Sequence, residues 1–138
     1  MQKTQYLLQV VQGLSDKIRE IKEEEFCTTG YQDIPISYFQ YINAINSLHN
    51  PTFVELAEKL NLSKPSITVM INKLIEQDYV KKRRSDNDGR AFNIALTEKG
   101  KTLVLASERA QLKVVDHISD RLSNEEIEAL TTLLTKIS

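Results

Sequence analysis

TFVELAEKLNLSKPSITVMINKLIEQ, residues 52–77, decides the fold. Thr52 and Glu55 have the spacing of a capping box, so a helix is expected to start there. Phe53, Leu56, Ala57 and Leu60 follow at i, i+3, i+4 and i+7, which gives that short helix one buried face. Asn61-Leu62 reads as a turn. Ser63 can cap the next helix, and Pro65 is tolerated in its first turn, where N–H groups have no intrahelical partner. Ile67, Met70, Ile71, Leu74 and Ile75 then form an unbroken apolar stripe. A small residue is wanted where the two helices approach most closely (Ala57), and a residue tolerant of left-handed backbone at the turn (Asn61). Ile67 falls where the second helix packs back on the first. These relative spacings of four and ten are those of a helix-turn-helix.

The outward face of the second helix follows by subtraction. Lys64, Ser66, Thr68, Val69, Asn72 and Lys73 lie off the apolar stripe. Short polar groups and cations suit base edges and phosphates. Val69 would then be exposed, where a thymine methyl, a packing neighbour or plain surface exposure each account for it.

Downstream, from Tyr79, the period changes to two. Val80, then Phe92, Ile94 and Leu96, alternate on either side of Ser85-Asp86-Asn87-Asp88-Gly89, a hairpin turn signal. Lys81-Lys82-Arg83-Arg84 before the turn and Arg90 after it place cations along one ribbon, with Lys82 and Arg84 taken as DNA contacts. Such a ribbon beside a reading helix can rest on the DNA backbone with its tip in the minor groove, where a narrow groove attracts Arg. A hairpin like this is, by itself, equally a solvated charged surface. Placed directly after a helix-turn-helix, the two weak motifs agree on DNA.

Outward from this centre the chain reads as helical. Residues 2–25 carry Leu7, Val10 or Val11, Leu14, Ile18 and Ile21 at near-heptad spacing. Gly30 and Asp33 mark a loop. Pro35 or Ser37 opens a second helix with Phe39, Ile42, Ile45 and Leu48 on one face, ended by Asn50-Pro51. Thr97 starts a fifth helix with Leu103, Ala106, Ala110, Val114 and Ile118 to one side. Ser123 and Glu126 form a second capping box, leading into Ile127, Leu130, Leu133, Leu134 and Ile137. The expected fold is mostly α with a small β-hairpin (α+β): a winged helix-turn-helix of six helices, the hairpin lying between the fourth and fifth and a tiny strand near Pro51. Residues 35–101 would form the winged helix-turn-helix lobe, and 1–34 with 102–138 a helical dimerisation region.

Bulk properties agree. The 138 residues suit one compact chain, and 27% charged with 41% apolar is an ordinary globular balance. The net charge of -1 conceals a pattern. Residues 63–101 hold nine Lys/Arg against five acids, while the flanks are net acidic. Phosphates meet local charge, not the total. Gln2, Gln5, Gln9 and Gln12 break the apolar runs at the N-terminus, so neither a secretory signal nor a membrane span is expected. A single cysteine, Cys27, suits a reducing cytoplasm.

The stretch from Leu56 to Gly100 resembles the multiple-antibiotic-resistance regulator (MarR) family. Its most specific pieces are Asp88-Gly89-Arg90, similar to the family's Asp-x-Arg wing, and Leu96-Thr97-Glu98-Lys99-Gly100, similar to its Leu-Thr-x-x-Gly lead-in to the fifth helix. The resemblance implies a transcriptional regulator, most often a repressor, that binds a pseudo-palindromic double-stranded operator as a homodimer. It gives Arg90 the minor groove and Asp88 a supporting ion pair. Gly89 departs from the pattern, since many members carry a second Arg there. Dimerisation falls to Leu7, Val10, Leu14 and Ile21 of the first helix and Leu130, Leu134 and Ile137 of the sixth, whose stripes one chain would cover poorly.

Members are often switched by small aromatic or lipophilic ligands, by cysteine oxidation or by metal. Tyr31, Tyr38, Phe39 and Tyr41 cluster where the family places its effector pocket, although plain packing explains each of them as well. Cys27 follows Glu23, Glu24 and Glu25, which disfavour a thiolate, so a redox role is not expected. Cys27, His49 and His117 share no ligand-type spacing, so no metal is expected, and no cofactor. There is no Gly-rich phosphate loop, nucleophile elbow or HExxH, so no enzyme is expected. The rival reading is a winged helix that binds protein instead of DNA.

Overall fold

The computed structural model describes residues 2–84 and 91–138. The expected turn at Ser85–Gly89, and with it Asp88 and Arg90, lies outside the described residues. The elements are α1 (Gln2–Thr29), α2 (Ile36–Leu48), α3 (Phe53–Leu60), α4 (Lys64–Glu76), β1 (Val80–Arg84), β2 (Phe92–Leu96), α5 (Glu98–Ser119) and α6 (Asn124–Ile137). Among the described residues this is the order expected from the sequence: six helices and an antiparallel two-stranded sheet. The tiny strand near Pro51 is a single bridge between Thr52 and Asn93, beside a 2.8 Å bond from the Ile94 N–H to the Pro51 carbonyl.

Two compact units emerge: Asp33–Ser107, and Met1–Gln32 with Glu108–Ser138. In the first, α2 packs on α3, α3 on α4, α4 on β1, and both α2 and α3 on β2. Ile42, Ile45, Leu56, Ile67, Ile71, Leu74, Val80, Ile94 and Leu103 are the large side chains it buries almost completely. Both signals at the start of α3 are in place: Glu55 N–H donates to Thr52 Oγ1 (3.2 Å) and Thr52 N–H to Glu55 Oε1 (3.3 Å). Asn61 takes the left-handed conformation (φ 55°), and the Leu62 N–H reaches back 3.0 Å to the Ala57 carbonyl, closing the turn. Ser63 Oγ caps α4 through the Ser66 N–H, with Pro65 in its first turn.

Two boundaries differ from expectation. α1 runs to Thr29, not residue 25, because the Thr28 and Thr29 hydroxyls bond to the Glu24 and Glu25 carbonyls and Gly30 (φ 87°) supplies the left-handed stop. α2 opens at Ile36 after Pro35 and ends in two left-handed residues, His49 and Asn50, before Pro51. Phe92 is a correction of another kind. It shares a face with Ile94 and Leu96, as alternation implies, yet at the end of its strand it is 42% exposed, while Ile94 and Ala95 are buried.

In the second unit no residue of α1 or α6 is fully buried. Leu7, Val10, Leu14, Leu134 and Ile137 are all exposed, whereas Ile18, Ile21, Ile127 and Leu130 are half-buried. Ser123 and Glu126 form the second capping box, with both bonds made. Among the described residues, no helix is long and apolar enough to cross a membrane.

Candidate nucleic-acid interface

α4 has two unlike faces. Ile67, Ile71 and Leu74 are buried, while Pro65, Val69, Asn72 and Glu76 form one exposed ridge at i, i+4, i+7 and i+11. Lys64, Ser66 and Lys73 flank the ridge and are also exposed. Thr68 is less available than its position implied. It is half-buried, and its hydroxyl donates to the Lys64 carbonyl at 3.0 Å, within the helix. Ser66 shares a 2.9 Å bond with Ser63 Oγ. Its hydroxyl is therefore oriented by the same residue that caps the helix. Glu76 is an acid on the outward ridge that sequence subtraction left out. It sets an acid at the C-terminal end of the ridge, whereas Lys64 at the other end adds to the positive end of the helix dipole.

In β1 the period of two separates four successive cations. Val80, Lys82 and Arg84 share one face, and Lys81 and Arg83 the other. The register pairs Lys82 with Ile94 and Arg84 with Phe92. Lys82 Nζ lies 5.5 Å from the Phe53 ring centroid and 6.0 Å from that of Phe92, and Arg84 Cζ lies 5.9 Å from the Phe92 ring. A cation over an aromatic face gains about 0.5–1 kcal/mol at an exposed site. The exposed ring of Phe92 thus has neighbours of its own: it carries cations instead of filling the core. Phe53, at the first position of α3, is the residue that sequence reasoning missed here. It was read simply as part of a buried face.

The Leu96–Gly100 segment also acquires a local role. Thr97 Oγ1 donates to the Asp78 carbonyl (2.5 Å) and accepts from the Gly100 N–H (3.1 Å). Lys99 Nζ donates to the Gln77 carbonyl at 2.8 Å and lies 4.5 Å from the Tyr79 ring centroid. The start of α5 therefore clasps the left-handed turn at Asp78 (φ 65°) that joins α4 to β1. This engages Lys99 structurally and removes it from the set of free cations.

The four aromatic residues expected at an effector pocket have different surroundings. Phe39 is buried, Tyr38 lies edge-on to Tyr79 at 6.0 Å, and Tyr31 belongs to the other unit. Tyr41 lines a shallow recess of about 440 Å³, with Pro65, Val69, Met70 and Lys73 of α4. Burial raises the pKa of its phenol above the ordinary tyrosine value. Cys27 is exposed, and among the described residues no group of three potential ligands could hold a metal ion.

Residues 25–106 match the family model described as "Transcriptional regulator SarA/Rot". The HTH-type transcriptional regulator SarZ of Staphylococcus aureus (strain MRSA252) is 28% identical over 113 residues, covering 79% of this chain and 76% of that protein. Among solved structures, Streptococcus pneumoniae FabT, crystallised in complex with DNA, superposes with a TM-score of 0.84. It is 24% identical, over 97% of this chain and 94% of FabT. A MarR family protein from Bacillus stearothermophilus gives 0.79 at 20% identity, over 99% of this chain and 93% of that one. These likenesses bear out the winged-helix fold expected from the sequence.

Proposed function

Because this chain belongs to the SarA/Rot family of transcriptional regulators, we propose that it reads double-stranded operator DNA as a homodimer, α4 entering the major groove and the β1–β2 ribbon resting at the minor groove. One observation carries this reading. A single compact unit combines an exposed α4 surface carrying Lys64, Ser66, Asn72 and Lys73 with two ribbon cations, Lys82 and Arg84, braced on Phe53 and Phe92. A docking surface for protein would not need cations on both elements. Asn72 is the residue best suited to a base edge, Lys64 and Lys73 to phosphates, and Arg90 extends the ribbon's basic run. The chain carries no reaction of its own and works in the cytoplasm, where occupancy of the operator blocks transcription.

Dimerisation is supported by the apolar face of the helical unit. Leu7 (61% exposed), Val10 (50%), Leu14 (46%) and Ile137 (81%) are too many large apolar side chains to leave in water on a lone chain. A twofold axis would pair two lobes and match a pseudo-palindromic site. The recess beside Tyr41 supports release by a small aromatic or lipophilic effector, since a molecule there would touch Val69 and Lys73 of the reading helix.

Titrating duplex affinity against salt tests the DNA reading. A dimer that neutralises several phosphates loses affinity linearly on a log–log scale, with a slope of about -0.9 per phosphate. A flat response would transfer the function to protein binding. Sedimentation tests the dimer: Leu7→Glu combined with Leu14→Glu is expected to give monomers, and an unchanged dimer would place the interface elsewhere.

A further inference from the structure

The other face of β1 carries a second basic feature, and it is concave. Lys81 and Arg83 point away from Lys82 and Arg84 and line a cavity of about 320 Å³ together with Lys101 of α5 and with Asn46, His49 and Asn50 from the end of α2. Every one of these residues belongs to the Asp33–Ser107 unit. The cavity exists because the cross-strand partner of Lys81 is the small, buried Ala95, which leaves the centre of that face unfilled. The left-handed backbone at His49 and Asn50 turns the end of α2 across its rim.

The charge balance at this cavity is one-sided. Among the described residues, its lining holds three permanent cations and no carboxylate. Among the described residues, neither Lys81 nor Arg83 makes an ion pair. Lys101 pairs only with Glu98, at 3.2 Å, in an exposed i,i+3 contact of the kind that contributes little and is readily exchanged. Three like charges around one concavity repel each other and focus a positive potential into it. The asparagine amides add neutral donors, and a guanidinium presents the planar fork that fits two phosphoryl oxygens.

We propose that this cavity is a phosphoryl-anion site, built to hold a phosphate or diphosphate group on the ribbon face opposite the Lys82–Arg84 pair. It does not depend on the α4 reading. Its occupant would bridge β1 to α2 and α5, tying the ribbon to the body of the lobe. The group has two sources, a free phosphorylated small molecule or a backbone phosphate of bound DNA.

Pyrophosphate is the probe. It is titrated into the full chain at constant ionic strength, following backbone amide shifts by NMR. Saturable shifts centred on Lys81, Arg83, Ala95 and Lys101 are expected, as is a loss of affinity on the order of ten-fold in Arg83→Gln. Lys81→Gln with Lys101→Gln should behave alike, whereas Lys82→Gln should bind pyrophosphate as before. Circular dichroism checks that each variant is folded. Duplex binding by Lys101→Gln separates the sources. Unchanged duplex affinity with pyrophosphate binding intact in the parent assigns the site to a free anion. Weakened duplex binding with competition by pyrophosphate assigns it to DNA backbone. Shifts that rise linearly without saturation, together with duplex affinity unaltered in the Lys81, Arg83 and Lys101 triple variant, would overturn the proposal.

Discussion

The Cα of Gly100 lies against the carbonyl oxygen of Tyr79, so closely that a Cβ at position 100 would run into it. The same carbonyl accepts the Thr97 N–H at 3.1 Å. The glycine is there for approach and not for its torsion angles: the first turn of α5 seats directly on the backbone between α4 and β1. Gly100→Ala should therefore destabilise the lobe by about 1–3 kcal/mol, the usual cost of overpacking against backbone that cannot move aside. Urea denaturation measures it. A stability within a few tenths of wild type would show that the turn yields.

Phe53 bears no charge, yet it is expected to affect DNA binding. Its ring holds Lys82 Nζ at 5.5 Å, so Phe53→Leu frees that side chain while keeping most of the apolar volume. Duplex affinity should fall a few-fold, in the same direction as Lys82→Ala. Only Lys82→Ala should reduce the salt slope, by about one. If Phe53→Leu binds like wild type, the aromatic brace has no part in recognition.

Asn72 and Lys73 are neighbours on α4 with different expected duties. Asn72→Ala should cost about 1–3 kcal/mol on a preferred sequence and little on random duplex. Lys73→Ala should weaken both alike. Selection from a random duplex pool, run with each variant, reads the difference. A uniform loss from Asn72→Ala would restrict that residue to the DNA backbone.

Tyr41 makes stability depend on pH at the alkaline end. Its folded-state pKa is raised by burial, so the folded protein keeps the phenolic proton after the unfolded chain has lost it. That contribution is fully present below about pH 10 and is lost as pH rises through the folded-state value. Between pH 9 and 11, Tyr41→Phe should lose stability less steeply than wild type. Parallel curves would mean the phenol ionises in the folded state as easily as in water.

The caps, the turn at Asn61 and the stripe on α4 were all legible from spacing alone, because each depends on residues within four or five positions of one another. The same holds for the element order, which follows from where the period changes. The cation face of β1 could be read as a list of charges but not as two separate faces with different neighbours. Lys82 and Arg84 meet rings at Phe53 and Phe92, and Lys81 and Arg83 line a cavity shared with Lys101 from α5.

What this sequence determined unaided was which segments coil, which extend, and which family they resemble. Those are consequences of local sterics, hydrogen-bond capping and apolar period. Only the folded chain decided that Phe92 stays exposed beneath two cations, that Lys99 is committed to the turn while Lys101 opens onto a cavity, and that Gly100 is needed for a neighbour rather than a bend. Each of these depends on which distant backbone or ring comes within a few ångströms, and no local period encodes that.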